Sequence, residues 1–247
     1  MPEPQLPRSA SVSELMDAAT QVFRRTLAKS LPVAMFAILL AALPNLYWQT
    51  TGKPMDLLHP PLDRNFWLLT AVGFAGYQCL AAVLMLRQRA ILGRGAPDLQ
   101  REFMAALARW PMLLLTAILA GIVIFAGALA LFVPGVFALV CFLVLRPVVL
   151  FETLEPLPAL VRCLRLIKPI WTKTMAAALI AALIFVVCAV AAAASLGIVQ
   201  AVFVAAGAQP AAMSAFASAC GLGLQAVALV YFNSLWLVLY SAASSSA

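Results

Sequence analysis

Read as a pattern of apolar and polar positions, the chain carries six long apolar runs separated by short polar stretches. A helix that crosses a bilayer needs about 20 apolar residues to span roughly 30 Å of hydrocarbon. Runs at 31–48, 66–86, 112–133, 135–151, 175–204 and 212–240 approach or exceed that length. The last two are longer than needed, so they must tilt, kink or project from the bilayer. Pro134 and Gly135 between the third and fourth runs predict a tight hairpin turn, because proline fixes φ and glycine permits positive φ. Gly207, Ala208, Gln209 and Pro210 predict a looser turn between the fifth and sixth.

The polar stretches have a pattern of their own. Before the first run, Val12, Leu15, Met16, Ala19, Val22, Phe23 and Leu27 recur at helical spacing, with Glu14, Asp17, Gln21, Arg24 and Arg25 opposite. Ser11 and Glu14 have the spacing of a capping box. Before the third run, Asp98 reads as an N-cap, with Leu99, Phe103, Ala106, Leu107 and Trp110 on one side. Before the fifth, Leu157, Leu160, Val161, Leu164, Ile167 and Trp171 form an apolar face, Arg162 and Arg165 point away, and Lys168 lies at the border. Each stretch ends in a basic residue followed by proline: Lys29 and Pro32, Arg109 and Pro111, Lys168 and Pro169. The pattern is an amphipathic helix followed by a membrane hairpin, three times over.

Composition strengthens this picture. Of the 247 residues, 65% are hydrophobic and 10% charged, against roughly 25% charged in an ordinary soluble domain. The mean hydropathy of +1.03 likewise describes a chain dissolved in lipid. Disorder is excluded, since disordered chains are poor in apolar residues. The net charge of +7 does not indicate nucleic acid, because the 16 basic residues lie in separate short clusters.

The placement of those charges predicts orientation, since short loops rich in Lys and Arg stay in the cytoplasm. Thirteen of the sixteen fall on one side: Arg8, Arg24, Arg25 and Lys29, then Arg87, Arg89, Arg94, Arg101 and Arg109, then Arg162, Arg165, Lys168 and Lys173. Lys53 and Arg64 fall on the other, and Arg146 lies inside a run. Both termini are then cytoplasmic, and an even number of crossings requires them to share a side. About 30 polar and amphipathic residues precede the first run, more than the short basic leader of a cleaved signal, so it reads as a span.

Candidate chemistry is sparse. Cys79, Cys141, Cys163, Cys188 and Cys220 are scattered without a CxxC pair and read as small buried hydrophobes. His59, the only histidine, has no metal-ligand set around it. No GxSxG elbow, HExxH pair or GxxxxGK[ST] loop is present, so an enzyme and a cofactor are not expected. Arg146 is the residue of most interest, because an arginine at membrane depth costs about 2.5–3.5 kcal/mol on insertion scales and marks a functional hypothesis. It lies 11 residues past Gly135, about 16 Å into its run, with Pro147 beside it to kink the helix. Three readings compete for it: snorkelling to the cytoplasmic end, pairing with Glu152, Gln225 or Asn233, and contact with a substrate or ion. Gln78, Gln225 and Asn233 read as packing glue between helices. Glu152, with Glu155, lies among basic residues at the cytoplasmic interface, where charge pairing accounts for it.

The stretch from Pro134 to Trp171 reads PGVFALVCFLVLRPVVLFETLEPLPALVRCLRLIKPIW. It resembles the membrane domain attached to some bacterial glycerophosphodiester phosphodiesterases, and related stand-alone membrane proteins of unknown function. The matching residues are Pro134, Gly135, Glu152, Ala159, Leu160, Arg162 and Leu166; Cys163 stands where the family usually has serine, and Lys168 with Pro169 replaces its usual glycine region. The resemblance implies the fold. It implies no activity, because the phosphodiesterase chemistry belongs to a soluble domain that these residues do not contain.

The sequence therefore predicts an all-α polytopic membrane protein with six transmembrane helices and three amphipathic interfacial helices on the cytoplasmic side. It places a single membrane domain over 11–243, with tails at 1–10 and 244–247. The expected setting is a bacterial inner membrane, and the expected role a non-enzymatic module that organises or senses lipid or supports a membrane protein partner. A small transporter or channel component is the alternative. Arg146, Glu152, Arg162, Arg165 and Lys168 are the candidate functional or lipid-headgroup contacts, and the expected partners are membrane lipids, anionic headgroups among them.

Overall fold

The computed structural model describes residues 10–51, 63–93, 97–130, 132–207 and 209–244. Arg8, Lys53, His59, Arg94, Ala208 and most of both predicted tails lie outside them. The described chain is all helix, with no strand among the described residues. In order the helices are α1 (Val12–Thr51), α2 (Arg64–Leu92), α3 (Leu99–Ala130), α4 (Phe132–Cys141), α5 (Leu145–Phe151), α6 (Pro156–Ile167), α7 (Trp171–Ala205) and α8 (Pro210–Ser244). Six segments are long and apolar enough to cross a membrane when α4 with α5, and α6 with α7, are each taken as one continuous path.

Local chemistry sets the helix starts. Ser11 and Glu14 form the capping box in full: Glu14 N–H donates to Ser11 Oγ at 3.3 Å, and Ser11 N–H to Glu14 Oε2 at 2.6 Å. Asp98 Oδ1 accepts from the backbone of Gln100 and Arg101, as an N-cap should. Asp63 caps α2 through Asn65 N–H at 2.9 Å. Its other oxygen accepts from Tyr47 Oη at 2.6 Å, which ties the end of α1 to the start of α2.

Two of the three amphipathic stretches are not separate helices. Pro32 and Pro111 lie inside α1 and α3, so the polar stretch and the apolar run form one helix in each case. At 1.5 Å per residue, the 40 residues of α1 extend about 60 Å, twice the hydrocarbon thickness. One buried stripe, Leu15, Ala19, Val22, Thr26, Ser30, Val33 and Ala37, runs along it without a break. The amphipathic face of α1 is thus covered by protein, with Phe23 edge-on to Tyr231 of α8 at 5.5 Å. Only the third stretch, α6, is a helix of its own, joined to α7 by a 3₁₀ turn at Lys168–Ile170.

The apolar faces of the other two stretches sit differently from the sequence expectation. Along α3, Ala106 is buried beside Glu102, while Leu99, Phe103 and Leu107 are exposed. On α6 the buried set is Ala159, Leu160, Cys163, Leu166 and Ile167, and Leu157 and Val161 face outward. Ala159 and Cys163 let α6 lie close against its neighbours, with Leu160, Leu166 and Ile167 buried beside them, and apolar periodicity alone does not distinguish a protein-facing edge from a lipid-facing one. Among the cysteines, Cys79, Cys141 and Cys163 are buried as expected, but Cys188 is exposed on α7.

The hairpin between α3 and α4 turns earlier than expected. Pro134 and Gly135 lie in the first turn of α4, not between the helices. Gly135 serves close approach instead: a Cβ there would stand 2.7 Å from Ala128 N and 2.8 Å from its Cα. The second turn falls where expected, with Gly207 at φ +93° and Pro210 opening α8.

The centre of the molecule is α1 packed against both α2 and α8, with the α3–α4 hairpin against α2 and α5 and α6 closing one end. Gln88 crosslinks the central three: its Nε2 donates to Val230 O and Ser234 Oγ, both at 3.0 Å, and reaches Thr26 Oγ1 at 3.5 Å. By contrast α7 buries only Thr174, Ala177 and Ala181, and turns Leu183, Val187, Val190 and Ile198 outward. Apolar exposure on that scale suits a helix solvated by lipid.

Candidate functional site

The fourth span is broken at mid-length. Pro147 has no N–H to donate to the carbonyl four residues back, and its ring crowds that carbonyl. The helix tightens to a 3₁₀ turn over Phe142–Val144 before resuming as α5. Arg146 stands just past this break.

Its guanidinium is held by α2 and α8. Nε and Nη2 both donate to Gln78 Oε1, at 3.2 and 3.0 Å. The ring of Tyr77 lies 5.3 Å from Cζ and that of Trp236 5.1 Å. Of the partners weighed from sequence, Glu152, Gln225 and Asn233, none is the one used. Gln78, read as packing glue, is the residue that binds the charge. A charge-assisted bond of about 1.5–3 kcal/mol and two ring faces at about 0.5–2 kcal/mol each are enough to offset the insertion cost. They do not neutralise the charge, since no carboxylate among the described residues lies within ion-pair distance. Nη1 is buried without a hydrogen-bond partner.

Beside Arg146 is a cavity of about 280 Å³. One wall is α3, from Leu113 through Ala117 and Gly121 to Ile124; the other is Leu139, Phe142 and Leu143 of the broken span. Gln78, Arg146 and Trp236 contribute its polar and aromatic groups. A second cavity, of about 300 Å³, lies between α1 and α8 and is lined by Asn45, Ser218 and Gln225 among others.

The other site residues gather at the end of α5. Thr153, with φ +57°, turns the chain sharply after Glu152, a conformation rare for a β-branched residue. The turn lays α6 back so that Arg162 Nε donates to Glu152 Oε2 at 2.8 Å. Tyr240 Oη donates to the other carboxylate oxygen at 3.1 Å. Arg89 stacks on the Phe151 ring at 4.1 Å, and Phe151 in turn meets Tyr240. Thus α2, α5, α6 and α8 are tied at one level by Arg89, Phe151, Glu152, Arg162 and Tyr240. Arg87 of α2 pairs with Glu102 of α3 at 3.5 Å, a further part-buried ion pair that sequence reading did not find.

Arg146 is six residues from Glu152, about 9 Å along the helix, so the two groups are separate. Arg165 and Lys168 join neither and stand exposed, the first on α6 and the second where α6 passes into the 3₁₀ turn. The structure therefore divides the five candidates into an arginine inside the fourth apolar segment, a pair at the helix end, and two outward cations. Spacing could have linked Gln78 to Arg89, which are 11 residues apart on one face of α2, but no periodicity indicates which helix that face meets.

Among the described residues, no group of three or more His, Cys, Asp or Glu side chains could hold a metal ion. No family model, curated protein or solved structure matches the chain.

Proposed function

We propose that the protein is a non-enzymatic integral module of a bacterial inner membrane that organises or senses lipid through its cytoplasmic-side helices, and in doing so supports a membrane partner. The observation that carries this reading is the outer stripe of α6. Leu157, Val161, Arg165 and Lys168 follow one another at helical spacing, all exposed, two apolar and then two basic. An amphipathic stripe of this kind fits the headgroup boundary: apolar side chains enter the acyl region and basic ones stay among phosphates. Each such cation near an anionic surface contributes about 1 kcal/mol. The exposed Leu99, Phe103 and Leu107, with Arg101 alongside, extend the same layer on α3. The likeness of residues 134–171 to the phosphodiesterase-associated membrane domain belongs to this proposal, as do cytoplasmic termini.

The test is lipid retention. The full chain is reconstituted in nanodiscs of mixed phosphatidylcholine and phosphatidylglycerol, and the retained lipid is measured by native mass spectrometry. Arg165→Gln with Lys168→Gln should lower the retained share of phosphatidylglycerol; an unchanged share refutes a lipid-specific role. Arg162 is left intact, because it is committed to Glu152.

A second reading, a small transporter or channel component, draws on the cavity beside Arg146. Its walls of leucine, phenylalanine, alanine and isoleucine offer few groups to replace an ion's water. Ion flux into proteoliposomes that disappears in Arg146→Leu would favour it over the lipid module.

A further inference from the structure

We propose that the cavity beside Arg146 is a binding slot for a single-chain carboxylate amphiphile, a free fatty acid, with its carboxylate at the guanidinium and its chain between α3 and α4.

Three observations support this ligand class. First, Arg146 is a permanent cation inside an apolar span, and its hydrogen-bond acceptor is the neutral Gln78. Its Nη1 is buried and unpartnered. A guanidinium presents paired N–H donors that match a carboxylate. An anion in the cavity that Arg146 lines cancels the charge that protein groups leave standing.

Second, the slot has the shape of a chain. Its α3 wall runs from Leu113 to Ile124, about 16 Å along the helix, and its other wall is Leu139, Phe142 and Leu143. The volume of about 280 Å³ is just below the roughly 300–1,000 Å³ of small-molecule sites, suited to one chain and too little for two. Gly121 forms part of the wall, and a Cβ built there meets nothing within 4 Å. Gly121 and Leu139 are exposed, so the slot opens sideways onto lipid and a chain can enter from the bilayer.

Third, depth separates a fatty acid from a phospholipid. Arg146 lies about 9 Å along the helix from Glu152, and the Arg162 that pairs with Glu152 is taken as the level of the lipid phosphates. A phosphate with its glycerol would have to leave that level to reach Arg146. A fatty acid has only a carboxyl group to bring down, and it partitions into the bilayer in its neutral form.

The experiment uses the full chain in nanodiscs of phosphatidylcholine and a laurate probe with a diazirine at the chain end, photolysed and mapped by peptide mass spectrometry. The probe should label the slot walls around Ile124 and Leu139, and unlabelled laurate should compete while dodecanol does not. Arg146→Gln should weaken the apparent affinity by about ten- to a hundredfold, the loss of a charge-assisted contact. Gly121→Leu should block labelling with Arg146 intact, by filling the slot at a position with room for the side chain, so that loss of labelling is not mistaken for loss of fold. Equal competition by dodecanol, or wild-type labelling in both variants, overturns the proposal. So does displacement by phosphatidylglycerol at the concentration where laurate fails, which would make the ligand a phospholipid. Arg165 and Lys168 are untouched in these variants, so the outcome is independent of the lipid layer on α6.

Discussion

Two glycine-to-alanine substitutions in one hairpin test whether helix packing here is set by backbone approach. At Gly135 a new Cβ would meet Ala128 N, Cα and Cβ at 2.7, 2.8 and 2.9 Å, all below the closest approach that real side chains make. Two of those atoms are backbone, so the clash is relieved only if α3 and α4 separate. Overpacking of this kind costs about 1–3 kcal/mol. At Gly121, in the same hairpin, a Cβ meets nothing within 4 Å, and alanine gains the helix propensity that glycine lacks, about 0.5–1 kcal/mol. Gly135→Ala should therefore destabilise the protein and Gly121→Ala should leave it as stable or slightly more so. The gap between them should be about 1.5–4 kcal/mol, roughly 10- to 700-fold in the unfolding equilibrium. Reversible unfolding in mixed micelles, followed by far-ultraviolet circular dichroism against denaturing detergent, measures it. If the two variants unfold together, the close approach of α4 to Ala128 does not hold the hairpin.

The remaining predictions concern the end of α5 and the topology. Glu152→Gln should cost about 1 kcal/mol and Tyr240→Phe about 0.5–1.5 kcal/mol, and the double variant should cost less than the two together. Strict additivity in that cycle would mean that Tyr240 and Glu152 do not act as one unit. With native cysteines replaced by alanine, Ser13→Cys should resist a membrane-impermeant maleimide in intact cells, while Gln209→Cys should react; both positions are exposed. Equal reactivity would overturn six crossings with a cytoplasmic N-terminus.

The sequence was most informative where a single helix has to satisfy its own surroundings. The capping box at Ser11, the N-cap at Asp98 and the break beside Pro147 are local chemistry, and each is present in the structure. It was less informative wherever a second helix decides the outcome. Pro134 and Gly135 have turn chemistry, yet Gly135 is used for contact with Ala128. The face of α6 was rotated, because Ala159 and Cys163 are small enough to lie against neighbouring helices while Leu157 and Val161 are not needed there.

By itself, the sequence determined that this is a chain of six membrane-length helices, because each apolar run must meet lipid or protein and can satisfy its backbone only by becoming a helix. It also singled out Arg146, since a charge in such a run is costly wherever the neighbours lie. The tertiary structure alone decided what that charge meets: Gln78 from 68 residues away, the rings of Tyr77 and Trp236, and a slot beside α3. The physical reason is range. Backbone hydrogen bonds and apolar periodicity act within a few residues, whereas the partner of a buried guanidinium is chosen by how whole helices pack.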